Sequence, residues 1–204
     1  MDGKVQTQVR RGRPSTFDRN AALRQAMGLF WDRGYEGTTF DELLACMGIS
    51  ASSFQNAFGS KRDLYQAATR LYLLEKAAFL EESLAGTADT RRAFETLIEN
   101  TAEAFTEGGG MPAGCMISLA GTHAAPACDP IREMMVAQRA LSERLMTERL
   151  QAGIDRGELP ADTDPATLAA FFSTVFRGMA VQARDGASRE KLVEIGRLAM
   201  RVWP

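Results

Sequence analysis

The sequence predicts an all-α protein with a small N-terminal three-helix head and a larger helical body. Three observations carry this. Apolar residues recur three and four apart through nearly all of the 204 residues, the spacing of one buried helix face. Helix-start signals recur, among them Thr39 with Glu42, Ser50, Ser60, Asp129-Pro130 and Asp164-Pro165; each offers an oxygen to orphaned N–H groups, and in the last two a proline follows in the first turn. Glycines such as Gly34, Gly48 and Gly157 stand where the periodic stretches stop.

The first sixteen residues are polar and contain Arg10, Arg11 and Arg13. They read as a flexible basic arm, and arginines on such arms enter the minor groove of DNA in other proteins. A helix follows from Asp18 as cap to Arg33, with Leu23, Ala26, Met27 and Phe30 on one face and Gly34 ending it.

The next stretch organises the chain. Thr39 and Glu42 form a capping box, Leu43 and Met47 share a face, and Gly48 turns the backbone. Ser50 caps a second short helix in which Phe54 and Phe58 point inward and Ala51, Ser52, Ser53, Gln55 and Asn56 face out. That outer face is small, uncharged and rich in amides and hydroxyls, which suits the donor and acceptor pattern of base edges in the major groove. Two short helices about a glycine turn match the helix-turn-helix layout, whose second helix reads DNA; the plainer reading is a hairpin that only packs.

Ser60 opens a longer helix patterned through Leu64, Leu71, Leu74 and Ala78 to about Leu84. Lys61 in its first turn opposes the helix dipole and so points to an external anion, a DNA phosphate. A helix over about 90–106 places Phe94, Leu97, Ile98, Thr101 and Phe105 inward, and Gly108, Gly109, Gly110 and Pro112 break it. The apolar segment 115–120 leads to a helix from Asp129-Pro130 that continues to Arg156.

The last two helices begin at Asp164-Pro165 and near Ser188. Leu168, Phe171, Val175 and Met179 on one, and Leu192, Ile195, Leu198 and Val202 on the other, need burial on more than one side. A second copy of the pair completes a four-helix interface, which makes the chain a homodimer; the alternative is that the pair wraps a monomeric core. Between the body helices an apolar ligand pocket is expected from Met116, Leu119, Met134, Phe172 and Phe176, with His123 at its edge.

Composition narrows the class. The net charge is -2, but residues 1–70 carry +3 and residues 71–204 carry -5, a positive front that fits a polyanion at one end. No apolar run reaches the eighteen or so residues of a membrane span, and the N-terminus lacks a signal-peptide core, so a cytoplasmic protein is expected. Cys46, Cys115 and Cys128 make neither a disulfide framework nor a paired zinc motif. Cys115, His123 and Cys128, spaced by eight and five, invite a metal or thiol-sensor reading but lack strong zinc spacing. With one histidine, no nucleophile motif, and Glu81 and Glu82 on different sides of their helix, no enzyme, cofactor or metal is expected.

The stretch from Phe17 through Tyr65, FDRNAALRQAMGLFWDRGYEGTTFDELLACMGIS followed by SSFQNAFGSKRDLY, resembles the head of the TetR family of bacterial transcriptional regulators. The segments GCMISLAGT and LPADTDPATLAAFF resemble one branch of it. The resemblance implies a basic arm over 1–16, a helix-turn-helix DNA-binding domain over 17–60, and a helical ligand-binding and dimerisation domain over 61–204. It implies a homodimeric regulator, a repressor, that binds a pseudo-palindromic DNA operator and is released by a small-molecule effector in the body. It places DNA contacts at Thr38, Thr39, Ser50, Ala51, Ser52 and Ser53, and at Gln55, Asn56 and Lys61. Gln55 stands where the family usually has tyrosine, so a phosphate contact has become a base contact or has been lost, and Leu44 stands where a small residue is commoner. The competing readings are a thiol or metal sensor on the same scaffold, and a small-molecule-binding protein or enzyme without specific DNA binding.

Overall fold

The computed structural model describes residues 17–107, 109–119 and 129–204, and every regular element among them is helical. The head comprises α1 (Arg19–Arg33), α2 (Phe40–Met47) and α3 (Ala51–Phe58). The body comprises α4 (Lys61–Ala85), α5 (Thr90–Thr106), the short α6 (Met116–Leu119), α7 (Asp129–Asp155), α8 (Pro165–Arg184) and α9 (Arg189–Ala199), which ends in a 3-10 turn at Met200–Val202. None of the described helices is long and apolar enough to cross a membrane.

The starts are where local chemistry puts them. The side chains of Asp18, Thr39, Ser50, Ser60, Asp164 and Ser188 each accept a backbone N–H at the N-cap of α1, α2, α3, α4, α8 and α9. Both Thr39–Glu42 and Ser60–Asp63 close as capping boxes. Backbone and side-chain bonds from Thr39 hold the Glu42 carboxyl below its usual range, and those from Ser60 do the same for Asp63. Gly48 lies in the left-handed region at φ 63° and ends α2.

The head core contains Leu23, Met27, Phe30, Leu43, Phe54 and Leu64, all buried. Each such side chain contributes about 1.5–3 kcal/mol on leaving water. The first half of α4 belongs to this core: Tyr65 packs 4.8 Å from the Phe30 ring, and Tyr72 lies edge-on to Trp31 at 5.0 Å. The same apolar cluster continues into the body through Phe105, Cys115, Met116, Met135 and Met179, so head and body share one interior. A second cluster, built on Phe94, Leu97, Ile98, Leu150, Phe172 and Met200, fills the far end.

Two expectations need correction here. Leu74 is 71% exposed and Ala78 is exposed as well. The buried stripe of α4 instead runs through Leu64, Ala68, Tyr72, Leu80 and Leu84; Leu74, two residues beyond Tyr72, is rotated about 200° from it. The last helix loses its α form at Ala199, and Trp203 beyond it turns back onto the chain's own core, 5.2 Å from the Phe94 ring and 6.1 Å from Phe172.

Candidate nucleic-acid interface and effector cavity

α3 is held by two rings. Phe54 and Phe58 are buried, and Phe40 of α2 meets Phe54 edge-on at 4.8 Å. This fixes the roll of the helix, and Ala51, Ser52, Ser53, Gln55 and Asn56 are all exposed on its other side. At the N-terminus of α3 the Ser50 hydroxyl lies 2.9 Å from that of Ser52 and donates to that of Ser53 at 3.0 Å, and Ser50 Oγ also accepts the Ser53 N–H. Helix N-termini with hydroxyls of this kind accommodate phosphate oxygens.

Flanking groups frame that surface. Thr39 is exposed, its hydroxyl engaged with Glu42. Lys61 is half-buried, with its ammonium 4.3 Å above the Tyr35 ring. Arg19, which sequence reasoning passed over, donates Nε–H to the Ala57 carbonyl at 3.2 Å and lies over Phe58. Thr38 is a correction: it is fully buried, and its hydroxyl donates to the Gly34 carbonyl at 2.7 Å, so its side chain is not presented to a ligand. Arg10, Arg11 and Arg13 lie outside the described residues.

In the body, a cavity of about 70 Å³ lies among α4, α5, α6, α7 and α8. Phe79, Leu97, Phe105, Ile117, Met146 and Phe176 give it apolar walls; Lys76, Cys115, Arg139 and Arg177 add polar groups. Of the five apolar residues expected there, Phe176 lines it. Met116 and Phe172 are enclosed in the core, while Leu119 and Met134 are half-buried away from the cavity. Helical spacing identified inward residues, but which inward residues border a void depends on how five helices meet. Lys76 carried a local signal: it lies four residues from both Tyr72 and Leu80 on the buried stripe of α4.

The thiol of Cys115 accepts the Tyr72 hydroxyl proton at 3.2 Å, and that same oxygen accepts the Met116 N–H at 3.3 Å. Burial is the main reason that the Tyr72 phenol is pushed well above its ordinary value. His123 and Cys128 lie outside the described residues.

Of the residues expected to dimerise, Leu168, Met179 and Leu192 are buried by the chain's own helices, so within one chain their side chains are already covered. Val175 and Ile195 are half-buried. Phe171, Leu198 and Val202 are exposed, joined on α8 by Val181.

Residues 22–68 match the family of bacterial regulatory proteins of the tetR type, and residues 91–195 match the tetracyclin repressor-like C-terminal domain. The HTH-type transcriptional repressor ComR of Escherichia coli (strain K12) is 35% identical over 195 residues, covering 95% of this chain and 92% of ComR. BdcR, an HTH-type transcriptional repressor of the same organism, is 30% identical over 193 residues, with 92% and 90% covered. Among solved structures, a cysteine-substituted CifR, a TetR family transcriptional regulator complexed with 26-bp double-strand operator DNA, superposes with a TM-score of 0.87 at 39% identity over 95% of this chain and 100% of that one. On these matches, which span head and body alike, the chain belongs to the TetR family of bacterial transcriptional regulators.

Proposed function

We propose that the protein is a DNA-binding transcriptional repressor that acts in the cytoplasm as a homodimer on a pseudo-palindromic operator and lets go when a small molecule enters the body. The observation that carries this reading is the outer face of α3, where Ser52, Ser53, Gln55 and Asn56 stand exposed on a helix locked by Phe54 and Phe58. Gln and Asn meet adenine edges in two-point fashion, and serines reach phosphates or bases. The operator complex of CifR, 39% identical to this chain, supports the same partner.

Phe171, Val181, Leu198 and Val202 leave an apolar surface on α8 and the end of α9 that a second copy would cover. Two-fold pairing would set two α3 helices at matching half-sites. For release, the ligand need only favour a body geometry in which the two heads no longer fit that spacing. A preference of about 100-fold corresponds to roughly 2.7 kcal/mol, within the usual range of coupling.

The test is binding of purified protein to duplex DNA from upstream of its own gene, across a salt series, with footprinting. A protected pseudo-palindrome is expected. Weak, steeply salt-dependent binding with no footprint, followed by no enriched site in a selection from random duplexes, overturns the reading.

A further inference from the structure

We propose that the cavity in the body takes a small organic anion, a carboxylate on a short apolar or aromatic frame, with Lys76 and Arg139 receiving the carboxylate. The inference rests on the reading of the body as the effector-binding part.

Three cations reach the cavity from three helices, Lys76 on α4, Arg139 on α7 and Arg177 on α8, and no carboxylate among the described residues lines it. Arg177 already has partners, Ser173 Oγ at 3.0 Å and Glu143 at 3.8 Å. Lys76 has none of that kind. Its ammonium lies 4.3 Å from the centre of the Phe79 ring and 5.1 Å from that of Phe105, and it makes no ion pair among the described residues. Among the described residues Arg139 donates a hydrogen bond to the Ile117 carbonyl at 3.1 Å and likewise forms no ion pair.

Desolvated like charges without a counter-ion are costly. The cost is visible in both groups: burial lowers the affinity of Lys76 for its proton, and burial together with the charge of Arg177 lowers that of Arg139. An anion from outside relieves the strain on both, whereas a neutral molecule leaves it in place.

The remaining walls specify the rest of the ligand. Phe79, Phe105, Phe176, Leu97 and Met146 suit an apolar frame, and the hydroxyl of Ser118 in the same lining offers a donor to a carboxylate oxygen, whereas that of Ser142 already donates to the Gln138 carbonyl at 3.0 Å. Size sets a limit. A volume of about 70 Å³ equals the liquid share of roughly two waters at about 30 Å³ each, less than an acid of a few carbons occupies, so such an acid enters only as the cavity widens with the half-buried Phe176 turning aside, and a phenyl frame requires a larger opening.

The experiment uses the full-length protein and pairs propanoate, butanoate, benzoate and phenylacetate with their amides, adding inorganic phosphate as a frameless anion. Thermal denaturation reads binding, and fluorescence anisotropy of a labelled operator duplex reads release. At least one acid is expected to act at a concentration about tenfold or more below that of its amide, as loss of a buried charge-assisted pair requires. Lys76→Met and Arg139→Gln should abolish that difference while leaving the melting of the unliganded protein unchanged or raised. Amides or phosphate matching the acids, acid binding unaltered in Lys76→Met, or no acid shifting the melting would each overturn the proposal. Should acids bind and the variants lose them while operator occupancy stays constant, the anion site stands and the ligand-release reading falls.

Discussion

The guanidinium of Arg184, in the last turn of α8, donates to both the main-chain carbonyl of Asp32 at 2.6 Å and its carboxylate at 2.8 Å. Asp32 sits at the end of α1, where carbonyls lack helical partners and a cation is favoured. The bond thus fastens the end of a body helix to the end of a head helix. Arg184→Gln should cost under about 1 kcal/mol of global stability, because the pair is partly exposed. The head loses its pre-set angle, however, and operator affinity should fall about two- to fivefold. Unchanged affinity by anisotropy would show that this contact does not set the head.

Gln55 and Lys61 separate two kinds of DNA contact. Gln55→Ala should cost about 1–3 kcal/mol on the operator and relax one base preference. Uniform weakening across sequences would mean a phosphate contact. Lys61→Ala should weaken all sequences alike and reduce the salt slope by about one; a constant slope removes it from the interface.

Leu198 is 59% exposed, so Leu198→Glu should leave the fold of one chain within about 0.5 kcal/mol. Its effect should fall on association. Sedimentation of the variant is expected to give a single chain where the parent gives two, with a loss of cooperative operator binding. A dimer of undiminished stability would move the interface elsewhere.

Two glycines should fail for different reasons. Gly48 has open space around it but a φ of 63°, so Gly48→Ala costs about 1–2 kcal/mol through backbone strain alone. At Gly196 a Cβ would overlap Cγ2 of Ile98, where α9 lies against α5. Gly196→Ala should therefore destabilise by about 1–3 kcal/mol of overpacking, offset by about 1 kcal/mol of helix propensity. Urea denaturation checks both, and the double variant Gly196→Ala with Ile98→Ala should lose less stability than the two single changes added together.

Hydrogen bonds from Arg156 and Thr90 hold the Glu158 carboxyl at about 2, from an ordinary value of 4.5. It accepts the Thr90 N–H at the start of α5 at 2.9 Å, while Arg156 bridges to Thr90 Oγ1 and the Ala88 carbonyl. A carboxylate with a lowered folded-state value binds fewer protons when folded, so its contribution is complete above about pH 4.5 and disappears as pH falls towards about 2. Between about pH 5 and about pH 3 the parent should lose more stability than Glu158→Gln. Equal losses in urea midpoints would exclude the clamp as a source of acid sensitivity.

Much of this architecture was legible because its causes lie within one helical turn. Thr39 meets Glu42 three residues away, Ser60 meets Asp63, and Gly48 bends its own backbone. Phe54 and Phe58, four apart, settle which face of α3 turns inward and hence which side chains are left outside. Even so, helical spacing alone misplaced Leu74, since a long helix offers several apolar stripes and packing selects one of them.

By itself, the sequence determined the all-helical class, the helix starts, the hairpin turn and the outward chemistry of α3, all of which follow from interactions between near neighbours. Only the tertiary structure decided that Thr38 is sealed inside, that Leu168 and Leu192 are enclosed by the chain's own core, and that Lys76, Cys115 and Arg139 share one cavity. Those outcomes depend on residues many tens of positions apart meeting across helices, and the relative angle of two packed helices is set by the whole interface between them.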